Sequence, residues 1–318
     1  MIRRCRYQPT SDAQHDEMSQ SLFDLAGKLK GEEKWADSES AYLQVLRRRA
    51  RDHGIEDILV RDSYYHLGLV YHQLDRLEDA AQNLEKALNG EEKVYGPEDS
   101  RTLYTAFELA KVYKKQKRND EAMIMYTRAI HREASLGAGD TAVRLSRYDL
   151  GIIYEDLDQL AEASRLFESV LKGEEEALGV EHDDTLITVA RLAGVYKQLG
   201  RFDDSERGYN RVLSVREKKL GPEHKKVLDT CYNLGLLYKL SKNFVAAETN
   251  FNRAMTGYEK LSGPNDSEVL EAMDKLVEVL ILDLRFDSAG NICRMALQRR
   301  INSLGSDHTD TEKTKRTL

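Results

Sequence analysis

The chain has 318 residues, 41% hydrophobic and 32% charged, with a formal net charge of −7. That charge excludes a general nucleic-acid binder, which needs a basic footprint to displace phosphate counterions, and no apolar run reaches the roughly 18 residues of a membrane span. Cys5, Cys231 and Cys293 are too scattered for a disulfide framework or a zinc site, which points to a reducing, cytoplasmic compartment.

Residues 1–11 read as an N-terminal tail. Arg3, Arg4 and Arg6 are followed by Asp12, Asp16 and Glu17 with no apolar stretch, so neither a secretory signal nor a transit peptide is expected. From residue 12 to 305 one unit recurs, centred on a small residue: Ala26, Gly68, Ala110, Gly151, Ala193, Gly235 and Val277, 41 or 42 residues apart.

Each unit predicts two helices. In unit one the first helix carries Leu25, Ala26 and Leu29, and the second, opened by Trp35, carries Ser38, Tyr42 and Val45. Unit two repeats this with Leu67, Gly68, Tyr71 and then Ala80, Leu84, Ala87. Unit three has Leu109, Ala110, Tyr113 and Ala122, Tyr126, Ala129; unit four has Leu150, Gly151, Tyr154 and Ala163, Phe167, Val170. Units five and six follow with Leu192, Ala193, Tyr196, Ser205, Tyr209, Val212 and with Leu234, Gly235, Tyr238, Ala247, Phe251, Ala254. Unit seven closes with Leu276, Val277, Leu280 and Ala289, Cys293, Ala296.

Spacings of four and three place each set on one helix face. The small residues let the two helices approach, the large ones fill the space between them, and the Leu column is expected to be almost fully buried. Gly96-Pro97, Gly221-Pro222 and Gly263-Pro264 join one unit to the next, with Gly suited to the left-handed C′ position and Pro to a first helical turn. Fourteen helices in seven antiparallel pairs are expected.

The combination of Leu-small-x-x-Tyr with the later small, aromatic and small columns resembles the tetratricopeptide repeat in its 42-residue, kinesin-light-chain-like form. The segment Gly179–Leu186 is similar to the Gly-x-x-His-x-Asp-Thr-Leu junction of that group. The resemblance implies an all-α, right-handed α-solenoid of about seven helix–turn–helix units. It implies a concave groove, lined mainly by first helices, that takes a peptide or protein segment, and it implies neither catalysis nor a cofactor. Residues 306–318 repeat the opening of a junction and read as a tail or an incomplete eighth unit, with disorder expected over at least the last six.

Signatures of nucleotide, metalloprotease and hydrolase sites are absent from the sequence. His66 and His72, six apart on one helix, are expected at the surface, and His182 and His224 at equivalent junctions are expected as caps. Cys231 and Cys293 fall in buried columns, and Glu174, Glu175 and Glu176 read as a solvated face.

The groove candidates are Phe23, Tyr65, His72, Phe107, Lys111, Lys114, Lys115, Tyr148, Arg191, Lys197, Tyr232, Asn233 and Lys239. The column three before the anchor is mostly aromatic, and it either offers hot spots to a partner or packs between neighbouring first helices. Only Asn233 keeps the Asn that kinesin-light-chain-like repeats use to clamp a peptide backbone, and the Lys and Asn pair of chaperone-binding repeats is absent. The leading functional expectation is an adaptor or scaffold for a protein segment. The alternatives are the detached repeat region of a nucleotide-switch receptor and a non-catalytic subunit of an enzyme pathway.

Overall fold

The computed structural model describes residues 11–54, 57–130 and 141–318. The N-terminal tail up to residue 10, with Cys5, lies outside the described residues. Fifteen helices and no strand occur among the described residues, in two compact units, Met1–Leu157 and Asp158–Leu318.

The first unit holds α1 (Ser11–Gly31), α2 (Trp35–His53), α3 (Ile58–Gln73), α4 (Leu77–Tyr95), α5 (Ser100–Lys115), α6 (Asn119–Ile130) and α7 (Thr141–Asp156), each packed on the next. The second holds α8 (Leu160–Leu178), α9 (Asp183–Gln198), α10 (Phe202–Leu220), α11 (Lys225–Leu240), α12 (Phe244–Ser262), α13 (Ser267–Leu282), α14 (Phe286–Leu304) and α15 (Thr309–Thr317), packed in the same sequential way. Helices thus contact neighbours in the chain, as stacked helix–turn–helix repeats must.

Local chemistry sets the helix ends. Second helices stop at Gly54, Gly96, Gly179, Gly221, Gly263 and Gly305, with φ between 86° and 93°, a region that costs glycine nothing. The carbonyls of Gly96, Gly179 and Gly305 accept from the hydroxyls of Thr102, Thr185 and Thr311, each at 2.9 Å. First helices start at Asp57, Asp99 and Asp266, whose carboxylates accept from the N–H two residues on. His182, His224 and His308 do the same through Nδ1, at 3.2, 3.1 and 3.2 Å. The two expected histidine caps are present, and His308 adds a third.

The core follows the repeat columns. Tyr42, Leu84, Tyr126, Phe167, Tyr209, Phe251 and Cys293 are all buried, as are the small residues four positions before each. Where that small residue is serine, its hydroxyl bonds the anchor carbonyl: Ser38 to Ala26 at 2.9 Å and Ser205 to Ala193 at 2.7 Å. The anchor glycines mark close approach, since a Cβ on Gly235 would stand 2.7 Å from the Phe251 ring. Six leucines of the Leu column are buried, but Leu25 is 48% exposed. Among the described residues no helix precedes α1, where each later first helix follows one.

A second regularity joins one repeat to the next. The residue 23 after the anchor reaches the hydroxyl five before the following anchor. Arg49 donates to Ser63 Oγ at 3.2 Å and Arg216 to Thr230 Oγ1 at 3.1 Å, while the Glu91 carboxyl accepts from Thr105. Glu174 occupies this column and is buried, so the expected solvated face begins only at Glu175, which pairs with Arg211 at 2.6 Å. Arg300 extends the rule to the C-terminus: it donates to Thr314 Oγ1 and forms a two-pronged pair with Asp274 at 2.8 and 2.6 Å. The expected disorder of the last six residues is therefore corrected. Thr309–Thr317 is helical, buries Thr311 and Thr314, and stands as the first helix of an eighth unit, making fifteen described helices where fourteen were expected.

Candidate functional site

In the first unit the aromatic column forms a continuous ladder of rings. Phe23 meets Tyr42 and His66 edge-on at 5.4 and 5.2 Å, and Tyr42 stacks on His66 at 5.4 Å. His66 meets Tyr65 at 5.1 Å; the ladder then runs to Tyr104 at 6.4 Å, Phe107 at 6.0 Å and Tyr126 at 6.3 Å. It ends on α7, where the Tyr126 hydroxyl donates to Asp149 at 2.9 Å. The packing role of Phe23, Tyr65 and Phe107 is thus realised, and Phe107 is fully enclosed. Tyr148 is half-buried on α7.

Three expectations need correction here. His66 is a half-buried rung of the ladder rather than a free surface residue; burial, with Lys30 and Arg49 nearby, pushes its imidazole down to about 4. His72 is buried, which removes it from any accessible groove; burial and then Lys115 and Lys111 push it down to about 4 as well. The lysines of α5 are also committed within the unit. Lys114 donates to Asp149 at 2.6 Å, Lys111 to Glu108 at 3.0 Å, and Lys115 pairs with Asp75 at 3.7 Å. These charges neutralise one another along the helices and do not form a field awaiting an acidic segment.

What remains open on this wall is a hollow of about 290 Å³ between α3, α4 and α5. Asp62, Tyr65, Glu91, Ser100, Arg101, Tyr104 and Thr105 line it. Tyr104, the rung between Tyr65 and Phe107, is 40% exposed. Sequence reasoning passed over Tyr104, Asp62 and Glu91. The signal lay in the position six before the anchor, where Asp62 and Tyr104 stand in adjacent repeats, and in the junction column that holds Glu91.

In the second unit, Tyr232 meets the Phe251 ring edge-on at 5.5 Å and donates to Glu271 at 2.7 Å. Asn233 spends its amide N–H on the Asp229 carbonyl one turn back, at 2.9 Å. Lys239 pairs with Glu278 at 2.6 Å, and Lys275 reaches the same carboxylate at 2.8 Å. Arg191 and Lys197 are half-buried on α9, and both are engaged. A smaller polar hollow, about 280 Å³, is lined by Asp229, Tyr232, Asn233, Tyr258, Glu268 and Glu271. The Tyr258 hydroxyl already donates to Asp229 at 2.8 Å, so this hollow is internally satisfied.

Cys231 and Cys293 are buried free thiols, and burial pushes Cys231 up to about 11. No group of His, Cys, Asp and Glu is placed to hold a metal ion among the described residues. None of the described helices is long and apolar enough to cross a membrane.

Comparison with known proteins follows the same lines. A family model described as tetratricopeptide repeat matches residues 17–93, 59–132 and 184–260, and a second of the same description matches 143–184. No curated protein matches the chain. Among solved structures, the C-terminal part of a repeat-containing protein from Cytophaga hutchinsonii is 11% identical, with 92% of this chain and 98% of that one covered and a TM-score of 0.65. Repeats from a protein of Podosopora anserina described as a kinesin light chain are 19% identical, covering 65% of this chain and 99% of that one at a TM-score of 0.57. BtubC from P. vanneervenii is 21% identical over 72% of this chain and 92% of its own, also at 0.57. At these identities the likeness is one of fold.

Proposed function

The chain belongs to the tetratricopeptide repeat family, and on that premise we propose that it is a scaffold which binds a peptide or protein segment along the first-helix wall of its N-terminal unit. One observation carries the reading: the ring ladder, otherwise spent on packing, brings one exposed rung, Tyr104, to the edge of an open hollow. Aromatic side chains at the edge of a concave, partly polar site supply most of the energy in segment recognition. The reading requires no chemistry on the partner and no cofactor. The buried thiols suit a reducing compartment, and the cytoplasm is the location this reading assigns.

The test is retention of binding partners on the immobilised full chain, compared with Tyr104→Ala. That variant removes an exposed ring and leaves the buried rungs in place. It is expected to weaken the captured interaction by about 1–3 kcal/mol with an unchanged melting temperature. Equal retention by both proteins would move the binding surface off this wall.

A further inference from the structure

We propose that the hollow between α3, α4 and α5 receives a guanidinium group, the arginine side chain of the bound segment. The proposal rests on the segment-binding reading above and adds the chemistry of one contact.

The floor of the hollow is Glu91, only 8% exposed, whose Oε2 has no hydrogen-bond partner. Thr105 holds the same carboxyl from α5. Buried carboxyl oxygens without a donor are rare, because desolvating one without replacing its bonds to water is costly. Asp62 stands at the mouth and adds a second acceptor. The cations that act on this pair each hold a partner elsewhere, Arg49 the Leu59 carbonyl and Ser63 Oγ. Arg61 donates to the Gly90 carbonyl at 2.8 Å, and Arg101 bonds Asp99 at 3.0 Å while stacking 3.4 Å over the Tyr95 ring. Glu91 Oε2 is left without a donor even though the buried Arg61 Nε beside it is also unpartnered, so the acceptor stays open to a donor from outside.

The walls select the shape. Tyr65 and Tyr104, 6.4 Å apart and tilted by 54°, line the same hollow. A guanidinium can lay its plane on a tyrosine face while its edge carries several N–H donors toward the two carboxylates. An ammonium supplies the charge but not the plane.

Titration gives the contact a signature. Burial first, and the Asp62 charge second, push the Glu91 carboxyl up to about 7; Thr105, Arg61 and Arg101 oppose this. A bound cation favours the ionised form, so binding displaces a proton near neutrality. Affinity is expected to rise as the pH increases from about 6 to about 8, across the span in which Glu91 ionises.

The experiment uses the full chain and acetylated, amidated alanine pentapeptides with a central arginine, lysine, citrulline or norleucine, titrated by calorimetry. The arginine peptide is expected to bind at least about tenfold more tightly than the citrulline peptide, which keeps the shape and loses the charge. Glu91→Gln keeps an acceptor for Thr105; it should cost at least about fivefold in affinity and abolish the pH dependence. Asp62→Asn, at the open rim, should also weaken binding and serves as the test if the Glu91 variant fails to fold. Equal binding of arginine and citrulline peptides, or full affinity in both variants, overturns the proposal. A partner segment retained equally by wild type and both variants sinks this pocket alone, whereas a segment that ignores Tyr104→Ala sinks the wall reading.

Discussion

Arg300 ties the C-terminal helix to the helices before it. Its guanidinium is buried, binds both oxygens of Asp274 on α13 and also donates to Thr314 on α15. The helix itself buries little, only Thr311 and Thr314, with a weak contact from Cys293 Sγ to the Thr314 carbonyl at 3.6 Å. Ordering each of its residues costs about 1–2 kcal/mol of backbone entropy, so a nine-residue polar helix has a small net stability. Asp274 is 36% exposed, which places the pair below the cost of breaking a fully buried one. Losing the charge-assisted bonds in Arg300→Met should cost α15 about 2 kcal/mol, roughly a thirtyfold gain in opening. Amide exchange resolves this: residues 312–317 should lose protection in the variant, while α13 and α14 keep theirs. Unchanged protection in α15 would show that packing, not Arg300, holds it.

Two further outcomes are expected. Leu192→Ala, at a buried column position in α9, should destabilise the second unit by roughly 2–5 kcal/mol in urea denaturation, and a change below about 0.5 kcal/mol would show that the column is not core. The pH response of the first unit combines opposing groups. His66 and His72, depressed to about 4, give stability that is complete above about 6.5 and is lost as the pH falls toward 4. Glu91, raised to about 7, gives stability that is complete below about 4.3 and is lost as the pH rises toward 7. Asp62, also raised by burial, acts in the same sense as Glu91; the two imidazoles change most across this span, so urea midpoints should fall from about pH 6.5 to about pH 5, and more steeply in Glu91→Gln. A midpoint that rises on acidification would contradict the assignment.

The helical pairs, their turns and their core columns were legible because a 42-residue period exposes every structural position several times. A single histidine cap is ambiguous; His182 and His224 at equal places in two units are not. The candidate wall was less legible. Column position cannot tell whether Lys114 faces water or Asp149, because the partner stands 35 residues away on α7. His66 and His72 were misplaced because polarity alone suggested the surface, whereas aromatic neighbours from α1 and α2 enclose His66. Residues 306–318 were legible as the opening of an eighth unit from their repeated junction, but not as an ordered helix. Nothing in composition reveals that Arg300 waits at the end of α14 for the Thr314 hydroxyl.

The joint between consecutive repeats has a consequence for how such an array can change. The position is constant but its chemistry is not: an arginine faces a serine at one joint and a threonine at another, and a glutamate faces a threonine at a third. Between α12 and α13 the pairing lapses. Tyr258 turns back to Asp229, and the place of the hydroxyl is taken by Ala272, which is buried. Excising the 42 residues of the sixth unit would bring Arg216 against Ala272 and strand a guanidinium among apolar neighbours. Repeats that look interchangeable by period are therefore keyed to their neighbours. Loss or duplication of a whole unit leaves a new joint that must close, so chemistry constrains the order of the units.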